Sequence, residues 1–245
     1  MSSERFSMVT AIYSQFHRRL YAASTTALAV SIIAACSGGS ASAESLVATC
    51  LADAMADPCT LLTEERLRSV IGDVGEITGE TFTIARSTSC DYSWSGSRTM
   101  KMQVGTMTFE NSIDDEASLS IEEFAEDAEK AKARFAAAYR PRSAEEQART
   151  ADNLSDKAAE GVAAEHQDMA RDFARSMVSK INYVTVNEDD LGDAAAWGGL
   201  PKSRALLVLV GKHSLNVNLK RSDDDAEHKA DSIALAKELL KSCGG

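Results

Sequence analysis

The chain reads Ala205-Leu-Leu-Val-Leu-Val210, then Gly211-Lys212, then His213-Ser-Leu-Asn-Val-Asn-Leu-Lys220. The first run is apolar throughout, which favours a central strand buried on both faces. The second run alternates apolar and polar residues, which is the period of a strand with one buried face. Two intervening residues that begin with Gly favour a type II′ turn. Together they predict a β-hairpin in an antiparallel sheet.

Further strands are expected on both sides of this hairpin. Residues 181–186 predict one strand that precedes it. Residues 81–86, 89–95 and 99–109 predict three strands of an antiparallel meander, in which Cys90, Tyr92 and Trp94 share one face and Met100, Met102 and Val104 share another. Between the last two of these strands, Ser95-Gly96-Ser97 predicts a turn.

Helices are expected between and around these strands. A short helix begins after the candidate N-cap Thr63 and ends at Gly72. Residues from about 112 to 180 are rich in Ala, Glu, Lys and Arg and predict consecutive helices. The capping-box patterns Ser120-Ile-Glu-Glu123 and Ser143-Ala-Glu-Glu146 mark two starts. A last helix is expected over about 224–241.

The order of elements defines the expected fold class. The first part reads helix, three strands, helix, and the last part again reads helix, strands, helix. This shared order suggests two similar halves, although the sequence shows no repeat. We expect an α+β fold in which helices pack on one face of an antiparallel sheet, with an Ala-rich helical segment in the middle.

The N-terminal segment has the parts of a secretory signal. Basic residues precede an apolar stretch, from Leu20 to Ala35, that is shorter than the roughly 20 residues of a membrane-spanning helix. Ile33-Ala-Ala-Cys36 resembles a lipobox, which predicts a signal peptide over 1–35 and lipid attachment at Cys36. Ordinary secretion, with cleavage after Ala43, is the alternative. We expect a flexible tether over 36–49 and a single domain over 50–245.

Charge restricts the partners. The chain has 26 basic and 37 acidic residues and a net charge of −11. Removal of residues 1–35 takes away three Arg and one Glu, which leaves the mature chain at −13. Such a charge argues against nucleic acid and against electrostatic attachment to anionic lipid. The lipid on Cys36 is therefore the expected link to the extracytoplasmic face of the cell membrane.

Four cysteines remain once Cys36 carries lipid, and an even number favours two disulfides in an oxidising compartment. Four cysteines allow three pairings, between which the sequence does not decide. We prefer Cys59–Cys90, because both belong to one local unit, and Cys50–Cys243, because this pair would join the ends of the folded region.

The chain contains the motifs Asp57-Pro-Cys-Thr-Leu-Leu-Thr63 and Cys90-x-Tyr92-x-Trp94. Both resemble motifs of an uncharacterised family of actinobacterial secreted lipoproteins. A segment at 191–197, Leu-Gly-Asp-Ala-Ala-Ala-Trp, is similar to a late turn of that family. The resemblance implies a bridge between Cys59 and Cys90. It implies no enzymatic activity, since the family is known mainly as a domain of unknown function.

Residues that could perform chemistry are few. The mature chain keeps only His166, His213 and His228, without metal-site spacing, and no nucleophile motif is present. We expect no catalytic residue, metal or cofactor. Trp197 is the candidate binding residue, because its small-residue surroundings predict an exposed turn, whereas Trp94 is expected to pack on the Cys59–Cys90 bridge.

Three functions follow in order of preference. The first is a surface-tethered, non-enzymatic binding or interaction domain for an unknown protein or small molecule. The second is a carrier or sensor of an apolar ligand, which needs an apolar cavity of several hundred cubic ångströms. The third is a hydrolase, which needs a nucleophile beside a base.

Overall fold

The computed structural model describes residues 43–84, 87–160, 162–201 and 203–244. The predicted signal peptide and Cys36 lie outside these residues. The described chain has six α-helices: α1 (Ala43–Ala54), α2 (Glu64–Ile71), α3 (Ala128–Ala138), α4 (Ala144–Ala159), α5 (Gln167–Val178) and α6 (Asp225–Gly244). It has seven strands: β1 (Ile77–Ile84), β2 (Ser87–Val104), β3 (Met107–Glu123), β4 (Asn182–Val186), β5 (Ala194–Leu200), β6 (Ser203–Val210) and β7 (His213–Lys220).

The strands form one sheet in the order β1-β2-β3-β7-β6-β5-β4, and every neighbouring pair is antiparallel. Strands β1 to β3 are one meander and β4 to β7 are another. The two meanders meet where β3 pairs with β7. The predicted α+β class is confirmed, and the two meanders account for the shared order of elements seen in the sequence.

The β6–β7 hairpin forms as predicted. Val210 pairs with His213 across Gly211-Lys212, and Gly211 has a φ of 57°, which suits the first position of a type II′ turn. The predicted helix at α2 is also confirmed. The Thr63 hydroxyl accepts a hydrogen bond from the Arg66 amide at 3.3 Å, and Gly72 ends the helix with a φ of 81°.

Helices α1, α2 and α6 cover one face of the sheet. Leucines from both layers fill the space between them and are fully buried, namely Leu51, Leu62, Leu67, Leu119, Leu206, Leu215, Leu219, Leu235 and Leu239. This is the principal core, and burial of its apolar surface is the main favourable term of folding.

Helix α3 packs on the opposite face. Phe124 and Phe135 lie against Ala196 of β5 and Leu209 of β6. The next residues along these strands, Trp197 and Val208, belong to the principal core, so the two clusters lie on opposite faces of the sheet. The Phe124 and Phe135 rings meet edge to face at 5.9 Å. The expectation of helices on one face therefore holds for α1, α2 and α6 but not for α3.

Two predicted boundaries are wrong. Residues 112–123 were expected to be helical, but they belong to β3, and the first middle helix begins after the N-cap Asp127. Ala117, Leu119 and Ile121 are buried at every second position, so the period of two outweighs the capping-box pattern at Ser120. The tether expected over 36–49 is also too long, because α1 begins at Ala43 and Leu51 is already in the core.

The middle helices α4 and α5 pack chiefly against each other, as a hairpin. The Ser143 capping box at the start of α4 is confirmed, since Ser143 and Glu146 exchange both hydrogen bonds. Met169 and Phe173 of α5 are 68% and 46% exposed. Gly161, a residue of low helix propensity, lies outside the described residues.

Disulfides join Cys50 to Cys243 and Cys59 to Cys90, with Cα–Cα distances of 5.5 and 5.0 Å. These are the pairings that we preferred from the sequence. The first ties α1 to the end of α6, and the second ties the segment before α2 to β2. Trp94 is buried, as expected, and belongs to the same core as Cys90.

Candidate functional site

The β2–β3 hairpin extends well beyond the rest of the sheet. Its two strands pair from Ser89–Ser120 to Val104–Met107. The outer neighbour β1 accompanies β2 only as far as Trp94, and β7 accompanies β3 only from Glu116. Residues 97–113 therefore form a two-stranded ribbon with no strand beside it in the described sheet. We call this ribbon the arm.

The arm has an apolar face and a polar face. Directly opposed residues of an antiparallel pair share a face, so Met102 lies beside Phe109, and Lys101 lies beside Glu110 on the other side. Four large side chains of the apolar face are between 43% and 60% exposed: Met100, Met102, Met107 and Phe109. We call these four residues the apolar patch.

The base of the arm is fixed by a buried ion pair. Pairing shifts register between Trp94 and Arg98, which is a β-bulge. Arg98 Nε donates to Asp115 Oδ1 at 3.0 Å, and Arg98 also donates to the Asp114 carbonyl. Burial raises the pKa of Asp115, while the Arg98 guanidinium opposes that rise. The bulge crosses over Asp115 at Gly96, where a Cβ would overlap the carboxyl group.

Sequence reasoning missed the arm. It assigned a turn to Ser95-Gly96-Ser97, which is the bulge, whereas the turn lies at Gly105-Thr106, where Gly105 has a φ of 65°. The alternation of Met100, Met102 and Val104 was recognised, but its pairing with Met107 and Phe109 was not. The signal that could have found the arm is this second alternation, Met107-x-Phe109, which follows the two residues Gly105-Thr106.

Trp197 is not at an exposed turn. It lies in the middle of β5, is 3% exposed, and meets the His228 ring edge to face at 4.8 Å. The segment 191–197 was expected to be a turn, but from Ala194 it is a strand whose small residues let α3 approach. Trp197 is therefore a core residue. Its buried indole N–H has no hydrogen-bond partner among the described residues.

His228, in the first turn of α6, is buried as well. Its Nε2 lies 2.6 Å from Asn218 Oδ1, and burial lowers its pKa to about 4. The ring is therefore neutral near pH 7, with Nε2–H donating to the amide oxygen. Ser232, one turn later in α6, accepts a hydrogen bond from the Leu219 amide at 3.0 Å. Both side chains hold α6 on β7.

The other histidines do not form a site. His166 is exposed in a 3-10 turn before α5. His213 is buried at the start of β7, and burial lowers the pKa of its imidazole. Within the described ranges, no three His, Cys, Asp or Glu side chains are placed to hold a metal ion.

Two clefts lie on the surface of the described residues. One, of about 380 Å³, lies over β1, β2, β3 and β7 and is lined largely by polar side chains, including Glu80, Asp91 and Glu116. The other, of about 450 Å³, lies between α4 and α5, where Arg175 Nε contacts Asp152 Oδ1 at 3.0 Å. The first cleft has the mixed lining of a solvated surface, whereas the second is lined mainly by apolar atoms of α4 and α5.

The arm is thus the strongest candidate site. Contiguous exposed apolar side chains rimmed by polar residues mark interaction surfaces. Methionine suits such surfaces, because its flexible thioether adapts to different partners.

Comparison with protein-family models, with curated proteins and with solved structures found no match to this chain. The resemblance to actinobacterial lipoproteins stays a prediction. In the part of the chain that the structure describes, no helix has the length and apolar character needed to span a membrane.

Proposed function

We propose that this protein is a lipoprotein of the cell envelope, anchored through Cys36 on the extracytoplasmic face of the membrane, that acts by non-enzymatic contact with a partner. The observation that carries the contact function is the arm. Its apolar patch lies on the exposed part of β2 and β3 and does not belong to the principal core.

Two features support the anchored location. The lipobox ends at Cys36, and six residues separate it from Ala43, where α1 begins. The two disulfides are typical of an oxidising compartment. In the lipoprotein reading, the fifth cysteine carries the lipid and no thiol is left free.

Contact is favoured over transport of an apolar ligand. A carrier needs an apolar cavity between sheet and helices, but fully buried leucines occupy that layer. Contact is also favoured over hydrolysis. The side chains of His228 and Ser232 already take part in structural hydrogen bonds, to Asn218 and to the Leu219 amide.

The anchor is tested by mass spectrometry of the N-terminal peptide of the mature chain. We expect it to start at Cys36 and to carry a diacylglycerol thioether. The Cys36→Ala variant should leave the membrane fraction or keep its signal peptide. An unmodified mature chain that begins at Glu44 would mean ordinary secretion.

The contact surface is tested by thiol labelling in intact envelopes. Met102→Cys and Lys101→Cys place a single free thiol on opposite faces of the arm, at adjacent exposed positions. We expect a maleimide to label both variants fully after purification. In envelopes it should label Cys at 102 at least about 10-fold more slowly than Cys at 101. Equal labelling in envelopes would contradict a contact at this face.

A further inference from the structure

Resting on the proposed function, the geometry points to a second copy of this chain as the partner of the arm. The two apolar patches pack face to face about a two-fold axis perpendicular to the arms. The two arms run in opposite directions, and the two domains lie at the two ends of the pair.

The apolar face of the arm continues the face of the sheet that the helices cover. Strand β3 runs without a bulge, so Phe109 and Met107 lie on the same face as Ala117 and Leu119. Helices α1, α2 and α6 cover that face at Ala117 and Leu119, where both residues are buried. The helical layer does not extend over the arm. A second apolar layer over the arm would cover this face as the helices cover the rest of it. The apolar face of a second arm provides such a layer.

The position of the helical layer decides the relative direction of the two arms. Each domain carries its helical layer on the same face as its apolar patch, and a helix is about 10 Å thick. Two sheets pack about 10 Å apart, so arms that ran side by side in one direction would force the helical layers of the two copies into the same space. Arms that run in opposite directions carry the two helical layers away from each other.

The distribution of charge also favours arms that run in opposite directions. The mature chain, without the three Arg and one Glu of residues 1–35, has a net charge of −13, so two copies repel each other over most of their surface. The arm is different: Arg98 is paired with Asp115, and Lys101 faces Glu110 across the strands. Arg98 to Val104 spans about 20 Å, which exceeds the Debye length of roughly 8 Å at physiological salt. Arms that overlap in opposite directions therefore bring near-neutral surfaces together while the acidic domains stay apart.

The area of the apolar patch suits a weak pair. With about 200 Å² for each side chain, the exposed parts of the four patch residues amount to roughly 400 Å² per copy. That is about half of what each partner buries in a standard interface. An isologous pair of this size is weak in solution. A membrane anchor raises the local concentration of both copies and strengthens the pair without any new contact.

The tethers are compatible with this pair. Helix α6 begins near the arm end of the sheet, where Asp225 pairs with Arg204, and runs to the far end, where Lys237 contacts Glu188 at 3.0 Å. Cys243 there holds α1. The tethers thus leave at the two outer ends of the pair. Residues 36–42 reach up to about 24 Å, so both reach one membrane when the pair lies along it.

Cross-linking of the full mature chain with Cys36→Ser tests the pair. In a face-to-face pair, thiols from Met102→Cys lie within about 10 Å of each other, whereas thiols from the control Lys101→Cys lie on the two outer surfaces, about 20 Å apart. A bismaleimide that spans about 10 Å should link the first variant into a dimer at least 10-fold more than the control. Adding Phe109→Glu to Met102→Cys should reduce the dimer about 10-fold.

Three outcomes would overturn the inference: no dimer, equal dimer from both positions, or capture of a different protein by the Met102→Cys variant in envelopes. The last would leave the proposed contact function standing. Equal maleimide labelling of both positions in envelopes would remove the contact function as well. Sedimentation equilibrium of the chain without introduced cysteines is the independent readout. It should show monomer and dimer, with association at least 10-fold weaker in Phe109→Glu.

Discussion

The inner and outer halves of the β2–β3 hairpin have the same alternating pattern and opposite environments. In the inner half, Cys90, Trp94 and Leu119 are at most 3% exposed. In the outer half, Met102 and Phe109 are 43% and 45% exposed on the same face. The pattern of a strand thus predicts which side chains share a face, but not whether that face is covered. Cover depends on how far β1, β7 and the helices extend.

The boundary between the halves should be the most sensitive place in the hairpin. Asp115→Ala leaves the Arg98 guanidinium buried without its carboxylate, and removal of one member of a buried pair costs about 4 kcal/mol. We expect the free energy of unfolding, measured with urea, to fall by about that amount. If instead the loss stays under 1 kcal/mol, the pair does not fix the base of the arm.

A matched pair of truncations compares the two halves directly. Leu119→Ala removes a fully buried side chain and should lower the free energy of unfolding by about 3 kcal/mol. Phe109→Ala, on the same face of the same strand, should change it by less than about 0.5 kcal/mol. Urea titration of both variants checks this, at protein concentrations below the dissociation constant of the dimer. Similar losses at the two positions would show that the arm is part of the folded core.

Acid should weaken the packing of α6 on β7, in the covered part of the sheet, through His228. Burial lowers the pKa of His228 from 6.5 to about 4, so the unfolded chain binds more protons between these values. The stability that neutral His228 contributes is present above pH 6.5 and is lost as the pH falls toward 4. We expect a loss of about 2 kcal/mol between pH 7 and pH 5. His228→Gln should flatten this part of the curve of unfolding free energy against pH, and an unchanged curve would contradict the assignment.

Substitution of two glycines should give the smallest difference in stability between the base and the tip of the arm. Gly96→Ala places a Cβ against the Asp115 carboxyl group at the base and should cost about 2 kcal/mol. Gly105→Ala at the tip meets no atom within 4 Å and pays only for its φ of 65°, about 1 kcal/mol, in the arm alone. Thermal unfolding should therefore change for the first variant and hardly for the second. The reverse order would mean that the tip, not the base, holds the hairpin.

Local signals predicted the elements whose form is decided locally. Gly211 specified the β6–β7 turn, and Thr63 with Gly72 bounded α2. The position of each cysteine along the chain also favoured, without deciding it, the disulfide pairing that the structure has. These features need only neighbouring residues, or the two ends of one folded region, to be recognised.

Non-local pairing decided what the sequence reading missed. Ser120 has a good capping-box pattern, yet β7 supplies a strand partner that turns residues 116–123 into sheet. Trp197 stands among alanines and glycines with little strand propensity, yet β4 and β6 enclose it. The arm was missed because its exposure depends on where β1 and β7 end, which no single window of sequence contains.

The central claim is that the arm serves contact between copies and not the fold. The most direct measurement compares the mature Cys36→Ser chain with a version in which Asn-Gly replaces residues 100–111, a sequence suited to a short hairpin turn. Sedimentation equilibrium and urea unfolding are measured on both. We predict that the shortened chain stays monomeric while its free energy of unfolding changes by less than about 0.5 kcal/mol. A shortened chain that dimerises as before, or that no longer folds, would contradict the claim.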